Sequence, residues 1–142
     1  MANICNTDYI ITGSPIAMET LYDCIVELDK KNNGRPIWYG DMCEELAIGR
    51  EKLVGVSTAG SITFFEKDDE VLTLVAESKW SSCNLFWDEV NHKLDDELSI
   101  SFREIEPGMG IYNVHDEGGY FDEQCCVDSQ GEPFEEHWND VY

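Results

Sequence analysis

The residues of this chain that could do chemistry are mostly carboxylates, and they are concentrated towards its end. No lysine or arginine follows Arg103, whereas 11 of the 30 acidic residues do. A segment that carries only negative charge attracts cationic partners and repels polyanions. We therefore predict that a partner-binding surface is formed by Glu104, Glu106, Asp116, Glu117, Asp122, Glu123, Asp128, Glu132, Glu135, Glu136 and Asp140.

The charge of the whole chain indicates which partners are compatible with it. Nine basic residues stand against 30 acidic ones, which gives a formal net charge of −21. Direct binding to nucleic acid or to an anionic membrane is disfavoured because phosphate groups would be repelled. Rows of carboxylates on a folded protein could instead compete with DNA or RNA for the basic groove of an enzyme. We expect the partner to be a basic protein surface, such as that of a host nucleic-acid-handling or defence protein.

Three patterns that could indicate catalysis have simpler explanations. Gly55–Gly60 superficially resembles the glycine-flanked serine of a nucleophile elbow, but it leads into a strand instead of a helix. His92, His115 and His137 are dispersed, and none has the spacing of a zinc-binding helix. Two close carboxylates could hydrolyse a glycosidic bond, but 30 acidic residues bring some pair together by chance. No catalytic residue is predicted.

The six cysteines and the glycine-rich acidic stretch do not predict a metal site. The cysteines are scattered without a Cys-x-x-Cys pair, and Cys125 and Cys126 on a strand would point to opposite faces. Cys24 and Cys83 lie in apolar, helix-like stretches, where a reduced thiol behaves as a small buried hydrophobe. The stretch Asp116–Glu123 offers oxygen ligands for calcium but matches no EF-hand loop. We predict free thiols and no cofactor.

Size and composition predict one folded domain. The chain has 142 residues, of which 42% are hydrophobic and 11% aromatic, too many for a disordered acidic chain. The beginning of the chain lacks the pattern of a signal peptide, and no apolar run is long enough to span a membrane. We expect a cytoplasmic protein with one domain over residues 1–127. Residues 128–142 are expected to form an acidic tail, packed or partly disordered.

The first part of the chain predicts a strand followed by a helix. Tyr9–Thr12 ends a strand, Ser14 caps the helix that Pro15 begins, and Asn32-Asn33-Gly34 supplies the left-handed residue at its end. The apolar face of this helix is formed by Met18, Leu21, Tyr22, Ile25 and Leu28, which recur at helical spacing.

The following segment, Arg35–Lys52, is less regular. Trp38 and Tyr39 are expected to pack inward, and Asp41 is expected to cap a short helix that continues to Ile48.

The remainder of the chain predicts further strands and one more helix. A helix over Cys83–Leu94 has Phe86, Trp87 and Val90 on its apolar face. The predicted strands are Leu53–Val56, Ile62–Glu66, Val71–Ser78, Leu98–Arg103, Ile111–Val114 and Tyr120–Val127. In Leu98–Arg103 the apolar residues Leu98, Ile100 and Phe102 alternate with Ser99, Ser101 and Arg103, which predicts a half-buried strand with the apolar residues inward. This order predicts an α+β fold: a ferredoxin-like antiparallel sheet with two main helices on one face and an extra short helix.

Short motifs in three places resemble one known family. They are Ala2–Asn6 before a strand that ends at Gly13, then Ser78–Trp80 leading into Phe86, and Ile100–Phe102 with Glu104, Glu106, Gly108 and Gly110. Together they resemble the YubB-type ferredoxin-like family, whose members are encoded on plasmids and phages. The likeness covers about half of the chain, and Ser81–Cys83 lacks the prolines usual there. It implies a fold and a mobile-element origin, and no activity.

Three functional hypotheses follow. The leading one is a small acidic interaction protein that mimics nucleic acid and inhibits a host protein; lysine at positions 116, 117, 122 and 123 would then abolish binding without unfolding. The alternatives are an uncharacterised enzyme and a self-assembling structural protein of the same fold. An enzyme requires a concave pocket with a carboxylate or histidine of shifted pKa. Self-assembly requires an exposed apolar patch or a free sheet edge.

Overall fold

The computed structural model describes residues 4–49, 59–79, 83–106 and 110–116, which form a mixed α+β structure. The strands are β1 (Ile4–Gly13), β2 (Ile37–Trp38), β3 (Gly60–Asp68), β4 (Val71–Lys79), β5 (Leu98–Glu106) and β6 (Ile111–His115). The helices are α1 (Pro15–Asn32), α2 (Tyr39–Glu45) and α3 (Asn84–Lys93). The α+β prediction is confirmed. The predicted strands Leu53–Val56 and Tyr120–Val127 and the tail 128–142 lie outside the described residues.

The six strands form one antiparallel sheet in the order β2-β3-β4-β1-β5-β6. In β1, every second residue from Cys5 to Ile11 is buried, because successive side chains of a strand point to opposite faces. The face that carries Tyr9 and Ile11 is termed the inner face, and the face that carries Asp8 is termed the outer face. On the outer face, the Arg103 Nη2 atom of β5 lies 2.7 Å from the Asp8 Oδ2 atom.

Helix α1 begins and ends as the sequence predicts. The Ser14 Oγ atom accepts a hydrogen bond of 3.2 Å from the Ala17 backbone N–H, and Pro15 is the first helical residue. At the other end Asn33 has a φ of 55°, the left-handed conformation that terminates many helices. The buried side of α1 consists of Ala17, Met18, Leu21, Cys24, Ile25 and Leu28.

Aromatic side chains join α2 and α3 to the inner face of the sheet. The ring centroid of Trp87 in α3 lies 5.1 Å from that of Tyr9 in β1. In α2, Tyr39 stacks on Phe86 with centroids 4.2 Å apart, and its hydroxyl accepts a hydrogen bond of 3.2 Å from the Trp87 indole N–H. Gly60 allows this packing, since a Cβ atom there would lie 2.8 Å from the Tyr39 ring. No helix among the described residues is both long and apolar enough to cross a membrane.

The segment around α2 corrects three predictions. Tyr39 is buried as predicted, but the Trp38 side chain is 58% exposed. Because Trp38 follows the buried Ile37 in β2, the two-residue period directs it to the outer face. Helix α2 begins at Tyr39, so Asp41 lies in its first turn and does not cap it. The helix ends at Glu45, before the predicted end at Ile48.

The burial of β5 differs from the predicted simple alternation. Leu98 is buried as predicted, whereas Ile100 and Phe102 are only partly buried. Ser101 was expected to be solvated but is fully buried on the outer face. The strand lies between β1 and β6, and residues on both of its faces are covered.

Candidate functional site

The structure describes three of the 11 carboxylates predicted to bind a partner. Asp116 follows β6 and is partly buried, whereas Glu104 and Glu106 are only 5% and 2% exposed. Their burial removes Glu104 and Glu106 from the predicted surface. Outside the described residues lie Glu117, Asp122, Glu123, Asp128, Glu132, Glu135, Glu136 and Asp140.

The buried Glu104 carboxylate belongs to a polar network on the inner face. Its Oε1 atom accepts a hydrogen bond of 2.8 Å from the Asn113 side chain of β6. Its Oε2 atom lies 3.7 Å from the Cys5 thiol, which donates to it. The two-residue period that predicts an inward Phe102 also extends to Glu104 and Glu106, so the sequence contained the signal for their burial.

The four described cysteines are buried and reduced, which confirms the prediction for Cys24 and Cys83. Burial, and secondarily the nearby Glu104 carboxylate, raises the pKa of Cys5 to about 12. Burial also raises the pKa of Cys24 to about 12 and that of Cys83 to about 11. Because the thiolate is the nucleophile, these thiols are unreactive near neutral pH. Cys125 and Cys126 lie outside the described residues.

A row of exposed carboxylates on α1 was missed by the sequence analysis. Glu19, Asp23 and Glu27 recur every four residues on the side of the helix that faces solvent. Asp23 and Glu27 also line a groove of about 350 Å³ together with Glu45 of α2. We define the α1–α2 acidic surface as Glu19, Asp23, Glu27, Glu44 and Glu45. The signal was available, since this row is the complement of the apolar face predicted for the same helix.

Few described cations offset the α1–α2 acidic surface. The Lys31 Nζ atom lies 3.6 Å from the Glu45 Oε2 atom, and both side chains are substantially exposed. Such an exposed pair contributes about 0–1 kcal/mol and is weakened by salt. Two further clusters of exposed carboxylates lie in and next to turns. One is Glu66, Asp68, Asp69 and Glu70 at the β3–β4 hairpin, and the other is Asp95, Asp96 and Glu97 between α3 and β5.

A groove between α3 and the inner face of β5 and β6 has aromatic walls. Its volume is about 350 Å³, and Tyr9, Trp87 and Phe102 line it. Polar residues at the same groove are Asn84, Asp88, Asn91 and His115. The His115 ring centroid lies 5.6 Å from that of Phe102. We refer to this feature as the α3–β5 groove.

A larger groove of about 510 Å³ lies beside the exposed Trp38. Its lining includes two cations, Arg35 and Lys79, and two carboxylates, Asp41 and Glu77. With equal numbers of both charge signs, the lining does not select the charge of a ligand.

The described residues contain no group of three or more histidine, cysteine or acidic side chains placed to hold a metal ion. The His92 Nδ1 atom lies 3.5 Å from the Asp96 Oδ2 atom, four residues further along the chain, and both side chains are exposed. No family model and no curated protein matches this chain. The YubB-type resemblance therefore stays a hypothesis.

Proposed function

We propose that this chain is an acidic interaction protein that binds the basic, nucleic-acid-binding surface of a partner protein and blocks it. The observation that supports this function is the α1–α2 acidic surface, where exposed carboxylates of two helices meet at one groove. The chain's formal net charge of −21 favours encounter with a cationic surface.

The spacing of the carboxylates determines how closely the charge density of this surface matches that of DNA. Residues four apart on a helix are separated by about 6 Å along its axis, whereas B-DNA carries one charge per about 1.7 Å. The row Glu19, Asp23 and Glu27 alone is therefore less densely charged than a duplex. Glu45 of α2 adds a carboxylate at the same groove, and the exposed Glu44 precedes it in the helix. The proposed mimic is therefore the two-helix surface and not a single helix.

The same proposal includes the fold and the origin inferred from the motifs. The four central strands, in the order β3-β4-β1-β5, with α1 and α3 as their connecting helices, correspond to the split β-α-β order of ferredoxin-like folds. In this interpretation β2 and β6 are additions at the two edges of the sheet. Membership of the YubB-type family of plasmid- and phage-encoded proteins would provide a reason to inhibit a host protein.

The test compares two variants that change the net charge equally. The first carries Glu19→Lys, Asp23→Lys and Glu27→Lys on α1; the control carries Glu66→Lys, Asp68→Lys and Glu70→Lys in the β3–β4 hairpin. A third variant replaces Asp116, Glu117, Asp122 and Glu123 by lysine, and tests the segment predicted from sequence. Circular dichroism checks that each variant is folded.

The readout is displacement of nucleic acid. Host proteins that the wild-type chain retains at low salt and releases at high salt are purified, loaded with a labelled oligonucleotide and titrated with each variant. We expect the wild type and the hairpin control to displace the oligonucleotide and the α1 variant to fail. Retention of displacement by the α1 variant, or equal loss in the hairpin control, would contradict the proposed surface.

A further inference from the structure

We propose that the α3–β5 groove binds an arginine side chain of the protein partner. This inference rests on the proposed function and adds an anchoring site outside the α1–α2 acidic surface. The chemistry of the ligand is inferred from three properties of the groove: the partly exposed Phe102 ring, a carboxylate at the rim, and a rigid wall.

The aromatic lining suits a planar cation. Tyr9 contacts both Trp87 and Phe102, with ring centroids 5.1 Å and 6.1 Å apart. Burial, and secondarily the neighbouring Tyr39 hydroxyl, raises the pKa of Tyr9 well above its ordinary value, so its phenol is neutral. Because Tyr9 and Trp87 are only 1% and 3% exposed, the ring available for stacking is that of the partly exposed Phe102, which Tyr9 supports from the core. A guanidinium group stacks on an aromatic ring through its flat face and is more weakly hydrated than an ammonium group.

The charge at the groove is complementary to a cation. Asp88 of α3 is exposed and lines the groove, and no lysine or arginine is among the described residues that line it. A carboxylate can accept two parallel hydrogen bonds from one guanidinium group. An anionic ligand would meet both Asp88 and the strongly negative chain.

The wall of the groove is held in place by hydrogen bonds between the Asn91 side chain and the Leu98 backbone. The Asn91 side chain accepts a hydrogen bond of 2.9 Å from the Leu98 N–H and donates one of 3.1 Å to the Leu98 carbonyl oxygen. These bonds fix the end of α3 against the start of β5. At about 350 Å³ the groove is near the lower end of ligand pockets, which span about 300–1,000 Å³. It therefore fits one side chain and not an extended peptide.

The experiment is an NMR titration of the ¹⁵N-labelled full chain with N-acetyl-arginine amide. The indole N–H of Trp87 reports on the groove, and that of Trp38, which lines a different groove, serves as the internal reference. N-acetyl-lysine amide is titrated in parallel. Asp88→Asn removes the rim charge, and Glu89→Gln is the matched control, because Glu89 neighbours Asp88 on α3 and does not line the groove.

We expect saturable shifts of the Trp87 indole signal with the arginine probe and binding about fivefold weaker for Asp88→Asn, the size of an exposed ion pair. Glu89→Gln should bind as the wild type does, and the lysine probe should bind more weakly. Absence of a saturable shift, equal binding of both probes, or no effect of Asp88→Asn would overturn the inference.

The outcome can be separated from that of the proposed function. The variant with lysines at positions 19, 23 and 27 leaves the α3–β5 groove unchanged, so it should bind the arginine probe normally. If this variant no longer displaces the oligonucleotide but still binds the arginine probe, displacement depends on the α1–α2 acidic surface and arginine binding on the α3–β5 groove. If the wild type displaces the oligonucleotide but does not bind the arginine probe, the inference about the α3–β5 groove is rejected and the proposed function stands.

Discussion

At the scale of single residues, the chemistry of a side chain in this protein depends on where the fold places it. Cys24 and Cys5 have thiols whose pKa is raised to about 12, chiefly by burial. Glu104 is a carboxylate that packs inside the domain, beside one of these thiols. The contact between Cys5 and Glu104 cannot be read from the neighbours of either residue in sequence, because the two meet only across paired strands.

The raised pKa of Cys24 predicts how stability depends on pH. Below about pH 8 the thiol is protonated in both states, because an unfolded cysteine ionises near pH 8.5. At higher pH the unfolded chain releases a proton that the folded chain retains, so the free energy of unfolding falls between about pH 9 and 12. Cys24→Ala has no thiol at this position, so its free energy of unfolding does not fall for this reason. We expect its stability deficit, measured by urea unfolding, to shrink as the pH rises from 8 to 10.5.

Leu21→Ala provides the control for the Cys24 prediction. Leu21 is fully buried on the same helix and has no titratable group, so its deficit should be constant over the same pH range. A deficit of Cys24→Ala that also stays constant would contradict the assigned environment of the thiol.

At the scale of elements, the start of α1 combines an N-cap with a close contact between two backbone segments. Ser14 caps the helix through Ala17, and its hydroxyl donates to the Glu97 carboxylate before β5. The Ser14 backbone N–H also donates a hydrogen bond of 3.2 Å to the Glu97 carbonyl oxygen. Gly13 permits this approach, since a Cβ atom there would lie 2.5 Å from that same oxygen. The strand-to-helix turn thus connects β1, α1 and β5.

Ser14→Ala should lower the free energy of unfolding by about 1 kcal/mol, the usual loss when an N-cap is removed. Chemical denaturation measures this directly. Thr20→Ala is the matched control on the same helix: the Thr20 hydroxyl donates only to the Ile16 carbonyl oxygen within the helix. An effect of Thr20→Ala as large as that of Ser14→Ala would show that capping is not the cause.

At the scale of the whole molecule, negative charge exceeds what internal pairing can neutralise. Among the described cations, Arg103 pairs with Asp8 and Lys31 pairs with Glu45. The exposed carboxylates of α1, α2 and the two acidic turns remain in excess, and the formal net charge is −21. Repulsion between like charges destabilises the compact state, and salt screens it.

We therefore expect the melting temperature to rise with added sodium chloride up to several tenths molar. Differential scanning fluorimetry from low to high salt measures the change. The variant with lysines at positions 19, 23 and 27 carries less negative charge, so its gain should be smaller than that of the wild type. A melting temperature that falls with salt would indicate that paired charges, and not repulsion, dominate.

Local patterns were sufficient for the elements whose signals are short-range. The Ser14–Pro15 start of α1, its apolar face, the helix around Phe86 and Val90, and the α+β class all follow from spacing and capping residues. Each depends on backbone geometry within a few residues, which sequence reports directly. The strong excess of acidic residues and the absence of a basic stripe are likewise properties of the sequence alone.

Only the tertiary structure decided which carboxylates face solvent and which aromatic side chains form a groove. Glu104 and Glu106 were predicted as surface residues and are buried, whereas Glu19, Asp23 and Glu27 form an exposed row beside α2. The α3–β5 groove combines Tyr9, Trp87 and Phe102 from three separate elements. A local period shows which residues share a face of a strand or helix. Whether that face is covered depends on strand order and helix docking, which are set by contacts between distant residues.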